Sequence, residues 1–290
     1  MQVRHIALDS LGLLMNKVSD NFFNCLKGNL AKYKKEKNIN DMKKILLVYL
    51  FFLTIPMIAQ EKSTADSAYA SGDYTRAIAV YEDLLATRGE AFEVYYNLGN
   101  SYYKDGQLAR AILNYERALL LEPGDDDTRF NLELVRSQTV DKIIPLSELF
   151  FVTWARDFAS LQSVDGWMVW GIVSFVLMLC SLAVYLFVSR MGLRKAGFFV
   201  ALASFLFCVI ANFSASYRKS LLTEGQAAIV LAPSVTVKST PSESGTELFV
   251  VHEGLKVEIK DDAMSQWKEI RLADGNVGWV PAETVERISF

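Results

Sequence analysis

Three kinds of hydrophobic pattern succeed one another along the chain. Trp167–Val188 is 22 residues without a charge, and Ala196–Tyr217 is another 22. Neither run has a polar face at helical spacing, so neither reads as an amphipathic helix on a soluble core. A bilayer core of about 30 Å takes roughly 20 apolar helical residues, so each run is long enough to cross one. The segment between them, 189–195, carries Arg190, Arg194 and Lys195 and is too short for anything but the turn of a helical hairpin. Whatever precedes and follows the hairpin then lies on one side of the membrane. Before it, over 61–144, apolar positions recur at helical spacing. After it, over 224–290, they alternate with polar ones in short runs. The predicted fold class is a multidomain membrane protein: an all-α region, a transmembrane helical hairpin at 167–188 and 196–217, and an all-β domain.

The N-terminal end changes the picture of location. Met42-Lys43-Lys44 is followed by the apolar run Ile45–Met57 and then by Ala59-Gln60-Glu61. A charged start, an apolar core of about a dozen residues and a small residue at the exit make 42–60 a secretory signal sequence. No cysteine follows that core, so it is not a lipoprotein signal. Residues 1–41 show no domain pattern and read as an over-extended leader, with Met42 the start; a genuine cytoplasmic extension is the other reading. With the signal directing the chain outward, the loop 189–195 is cytoplasmic, which its positive charge favours. Arg218 and Lys219, just beyond the second span, weaken that charge signal. An uncleaved signal gives the same orientation. Both soluble portions are then expected in the periplasm.

Charge and cysteine usage exclude several functions. Met1–Lys44 holds 9 basic and 4 acidic residues, Ile45–Pro145 holds 9 and 15, and Glu224–Phe290 holds 6 and 11. Both soluble portions are thus acidic, whereas a nucleic-acid footprint must be basic. Cys180 and Cys208 lie in the spans and Cys25 in the leader, so the soluble portions have no thiolate metal cluster, redox pair or disulfide framework. His252 is the only histidine in those portions, no nucleophile has a recognisable base around it, and no GxxxxGK loop is present. A non-catalytic protein without cofactor or metal is expected. The spans have no ionisable residue of the sort that transport and proton relay use. Gly171, Ser174, Ser181 and Ser204 are small enough to let the two helices approach.

Within 61–144 the chain repeats with a period of 34. Gly72 recurs as Gly106, Ala77 as Ala111, Ile78 as Ile112, Tyr81 as Tyr115 and Leu85 as Leu119. The second copy, with Tyr95, Leu98, Gly99, Tyr102, Gly106, Ala111, Tyr115, Ala118 and Pro123, closely resembles the tetratricopeptide repeat, an α-solenoid unit. The first copy departs from the pattern in its first helix, at Ala65 and Ala68, and keeps it in the second, Tyr74–Ala86. Asp127–Gln138 reads as a capping helix, which such stacks require, and the Asp125–Asp127 run as its solvated start. The resemblance implies a concave face that binds extended peptides, lined by Tyr96, Asn100, Tyr103 and Lys104, with Asn131 contributed by the cap. Asn side chains carry both a donor and an acceptor for a peptide backbone; packing of the two tyrosines against neighbouring helices is the alternative.

Residues 145–166 place Phe150, Phe151, Trp154, Phe158 and Leu161 on one helical stripe, with Ser147 as a candidate cap. An amphipathic helix that ends at a membrane span reads as interfacial; packing against the repeats is its rival. Over 224–290, six short β runs are punctuated by Pro233, Pro241, Gly245, Gly254 and Asp274-Gly275-Asn276. Gly254, Trp267 and Gly278-Trp279-Val280 resemble the pattern of bacterial SH3-like barrels. In that family exposed aromatics can hold peptides or cell-wall fragments, and His252 and Trp267 are the candidates here; a small barrel also needs its aromatics for packing. The order of parts from Met42 to Phe290 resembles the BatE family of bacterial aerotolerance operons. That resemblance implies a periplasmic, membrane-anchored partner protein. It would act with Bat proteins carrying von Willebrand factor A domains and with a MoxR-type ATPase. A peptidoglycan-binding or sensing module is the alternative.

Overall fold

The computed structural model describes residues 64–290, apart from Pro145 and Glu148. The expected leader, 1–41, and signal sequence, 42–60, lie outside the described residues. Five helices open the described chain: α1 (64–70), α2 (Tyr74–Arg88), α3 (Phe92–Lys104), α4 (Leu108–Leu121) and α5 (Asp126–Ser137). The turns from α1 to α2 and from α3 to α4 are the same turn used twice. Gly72 and Gly106 sit there at φ 83° and 84°, a left-handed backbone that glycine adopts without a Cβ penalty. Side-chain oxygens of Asp73 and Asp125 accept the amides of Arg76 and Thr128, satisfying otherwise orphaned N–H groups at the starts of α2 and α5. Ala77, Ile78 and Tyr81 and their 34-residue counterparts Ala111, Ile112 and Tyr115 are all buried, so the period in the sequence is the period of the core.

After an irregular stretch, α6 (Phe150–Ala159) leads to α7 (Val164–Phe187) and α8 (Met191–Glu224). Ser147 does not cap α6: its N-cap is Leu149, with no side-chain bond to its first amides. The Leu149 carbonyl accepts the amides of Val152 and Thr153, which places the first turn two residues beyond the serine. Ser163 caps α7 by accepting the Gly166 amide. The turn of the hairpin is shorter than 189–195, because Arg194 and Lys195 already belong to α8. The 24 residues of α7 and 34 of α8 make both long and apolar enough to cross a membrane. Gly171, Ser174 and Ser181 of α7 are buried, as are Gly197, Ala201, Ser204 and Ala211 of α8. Small side chains at these positions let the two backbones close on each other.

At 1.5 Å per residue α8 extends about 51 Å, some 20 Å more than a bilayer core. Its last turns pack instead on the repeats. Arg218, only 5 % exposed, donates from Nη2 to the carbonyls of Leu120 (2.6 Å) and Leu119 (3.4 Å), the unsatisfied C-terminal end of α4.

The chain then enters an antiparallel sheet: β1 (Ala227–Val230), β2 (Ser234–Lys238), β3 (Glu247–His252), β4 (Lys256–Asp261), β5 (Trp267–Arg271), β6 (Val277–Pro281) and β7 (Val285–Arg287). The order is β3-β2-β6-β5-β4-β1-β7. Alternate residues such as Val235, Val237, Val257, Ile259 and Val280 point into its core. Strand pairing does not close a ring, which corrects the expectation of a barrel: β3 and β7 remain edges. Open edges expose unpaired backbone groups, and here the helical part supplies partners. Arg117 of α4 donates to the Arg287 carbonyl (2.9 Å) at the β7 edge, and Asp141 accepts the His252 amide (2.7 Å) at the β3 edge. Ile229 and Ile288 complete one core with Ile112 and its neighbours, so the repeats and the sheet share a hydrophobic interior.

Candidate peptide-binding face

Tyr96, Asn100, Tyr103 and Lys104 follow one another at the spacing of a single face of α3. The structure joins them to α5. Asn131 Nδ2 donates to Asn100 Oδ1 (3.1 Å) and to the Tyr96 hydroxyl (3.4 Å). The Tyr115 hydroxyl donates to the same Asn100 oxygen (2.7 Å) from beneath. Gln138 Nε2 donates to the Tyr103 hydroxyl (3.0 Å), and Lys104 Nζ lies 5.9 Å from the centre of the Tyr103 ring. Lys104 is exposed, while Tyr96, Asn100, Tyr103 and Asn131 are half-buried. All five predicted residues therefore belong to one surface formed by α3 and α5.

Tyr115 and Gln138 were not among the predicted residues. Tyr115 is a buried core residue whose hydroxyl also reaches the face. Gln138 lies seven residues after Asn131, so the helical period of α5 was the signal that could have found it. Tyr115 fits under the face because residue 99 is glycine: a Cβ there would stand 2.8 Å from the Tyr115 ring. Burial raises the pKa of Tyr115, with Tyr96 and Tyr69 adding to it, so the phenol stays protonated and remains a donor. Chemically the surface offers amides and phenols with one cation at its edge. Asn100 Nδ2 and Asn131 Oδ1 have no partner among the described residues and leave one donor and one acceptor for a backbone.

The α4 side is used differently. Glu116 is buried and bonded to Arg136 of α5 and to Lys256 of β4 (2.8 Å). Burial pushes its pKa up, but Lys256 and Arg136 more than offset this and hold the carboxyl below the ordinary 4.5. Arg117 pairs with Glu286 (2.8 Å), and Tyr95 stacks on Phe290 with ring centres 5.4 Å apart. On the sheet, His252 Nδ1 stands 2.9 Å from Asp141 Oδ1. Trp267 is 9 % exposed, with Lys238 Nζ 5.8 Å from its ring centre. Each of these two candidates thus has a partner inside the chain. Among the described residues no three His, Cys, Asp or Glu side chains come together to hold a metal ion.

Residues 63–128 match the family model for the tetratricopeptide repeat. No curated protein matches the chain. Repeats of this family are generally non-catalytic, and the match suggests a scaffold for protein–protein interaction.

Proposed function

We propose that this protein is a membrane-anchored, non-catalytic scaffold whose α3–α5 surface holds an extended segment of a partner protein. The observation that carries the reading is the amide cluster of Asn100 and Asn131. Two side-chain amides are fixed by each other and by two tyrosines, with one donor and one acceptor still unspent. The docked sheet leaves this surface open because it takes the α4 side.

The two long apolar helices are read as a hairpin through the bacterial inner membrane, with 189–195 cytoplasmic and both soluble parts periplasmic. Direct docking of the repeats on the sheet supports placing them on one side. We read the sheet as a partly open SH3-like fold; seven short antiparallel strands with a 3-10 turn (Ala282–Thr284) before the last support this. The order of parts supports a BatE-like role beside von Willebrand factor A proteins in an aerotolerance or envelope-stress complex. No observation favours peptidoglycan binding through His252 and Trp267, so that reading is not adopted.

The test is crosslinking in intact cells, with recovery of the full-length protein and identification of what accompanies it. Asn131→Ala and Tyr103→Ala should lose the accompanying membrane proteins while the melting curve stays close to wild type. Unchanged recovery with both variants would move the contact off this surface.

A further inference from the structure

Aromatic rings recur on the first helix of each repeat. Tyr103 of α3 repeats Tyr69 of α1 at the 34-residue period. Tyr96 shares the α3 face with Tyr103, and Phe92 stacks on it with ring centres 6.2 Å apart. All four rings are half-buried, so the stack holds them while part of each stays open to solvent. Lys104 Nζ lies 5.9 Å from the centre of the Tyr103 ring, on an exposed side chain that a ligand can displace.

The spacing of the two α3 tyrosines selects among extended chains. Tyr96 and Tyr103 are two helical turns apart, about 10.5 Å along the axis. In a β segment, residues on one side recur at about 6.6 and 13.2 Å. In a polyproline II helix, every third residue returns to the same side, at about 9.3 Å. The rings match the polyproline period more closely than either β distance.

The hydrogen-bonding groups left over point the same way. The Tyr96 and Tyr103 hydroxyls accept from Asn131 and Gln138, and each keeps its own proton to donate. Asn100 Oδ1 is filled by Asn131 and by the Tyr115 hydroxyl, while its Nδ2 is unspent. Against these donors stand two amide oxygens without a partner among the described residues, Asn131 Oδ1 and Gln138 Oε1. Glu93 lies two turns before Asn100 and Asp127 one turn before Asn131, with Lys104 at the other end of α3, so no single sign of charge covers the face. A chain with carbonyls but few amide N–H groups suits such a surface, and proline has no N–H.

We propose that the α3–α5 surface takes a proline-rich segment in the polyproline II conformation. Prolines three positions apart rest against Tyr96 and Tyr103, and the Asn100 amide donates to a carbonyl between them. Aromatic-lined grooves hold such segments in this way, and a preformed polyproline helix loses little freedom on binding. That matters for a groove built from two repeats. The inference rests on reading this surface as the partner site and adds the chemistry of the segment.

The experiment uses the full chain in detergent and titrates it with two synthetic peptides of equal length. One has proline at every third position; the other has alanine in place of each proline. The proline peptide should bind saturably, and the alanine peptide roughly tenfold or more weaker. Tyr96→Leu/Tyr103→Leu, which removes the rings and keeps apolar bulk, should weaken the proline peptide by a similar factor. Asn100→Asp should do so as well, because it removes the donor and keeps an acceptor for Tyr115; the melting curve of each variant without peptide reports its folding. Equal affinity for the two peptides, or full affinity in both variants, would overturn the proposal. Binding of neither peptide, with partner recovery from cells still lost in Asn131→Ala, would overturn the proline-rich assignment and leave the scaffold reading standing. Unchanged partner recovery in Asn131→Ala and Tyr103→Ala would instead count against the scaffold reading itself.

Discussion

The two sides of the α3–α4 pair put similar residue types to opposite uses. On the α4 side, Ile112, Glu116 and Arg117 are absorbed into contact with the sheet. On the α3 side, Tyr96, Asn100 and Tyr103 bond mainly within the repeats and stay half open. A stack of such repeats usually needs about three units to bury a stable core. Among the described residues there are two helix pairs and one further helix, α5, and the sheet and the end of α8 pack against them. A short stack can keep one face open to solvent while a different fold seals its other side.

The strongest test of this comparison is Ile112→Ala. Ile112 is fully buried where the repeat and sheet cores join. The expected loss is about 2–5 kcal/mol, read as a single lowered transition of the full chain in detergent. Two separated transitions, with the sheet melting at its wild-type temperature, would show that the shared core does not couple the parts.

Glu116→Gln comes next. Its partners Arg136 and Lys256 are 40 % and 44 % exposed on their side chains and can rehydrate, so the expected cost is about 1–3 kcal/mol rather than that of a fully buried pair. Its pKa is depressed in the folded protein, so its contribution is present above the ordinary carboxylate value of 4.5 and is lost as pH falls below it through the folded value. A pH series of melting temperatures should therefore show the wild type losing stability over that acidic window more steeply than Glu116→Gln. Parallel curves would contradict the pairing.

The open surface should respond by function more than by stability. Asn131→Ala is expected to cost less than about 1 kcal/mol and to abolish partner recovery. Asn100→Ala should cost more, about 1–3 kcal/mol, because it strips the acceptor from the buried Tyr115 hydroxyl. Equal melting temperatures for the two variants would mean that the Tyr115 bond carries no weight.

The smallest effect on stability belongs to α6. Phe150→Ser with Trp154→Ser should leave unfolding within about 0.5 kcal/mol, since both side chains are exposed. In proteoliposomes the amides of Phe150–Ala159 should nevertheless exchange faster than in wild type. Unchanged exchange would indicate that lipid does not cover this helix.

Much of the architecture was legible without coordinates. The 34-residue spacing from Gly72 to Gly106 marks two identical turns, and the uncharged runs mark α7 and α8. Period-two alternation predicted six short β runs over 224–290, the region in which β1 to β6 lie. The candidate face was legible as a helical stripe on α3 and one asparagine on α5. Such features repeat along the chain at short intervals, because a helix or strand buries the same side at every turn or every second residue.

What the tertiary structure alone decided involves residues far apart in sequence. Strand β7, only Val285–Arg287, exists through its pairing with β1. Arg117 reaches Glu286 across 169 positions and the Arg287 carbonyl across 170. Arg218 takes the end of α4 across 98. The open sheet, with its edges covered by Arg117 and Asp141, follows from the same contacts. Contacts of this kind are made once and leave no period in the chain, so local pattern predicted the elements and the packed core determined how they meet.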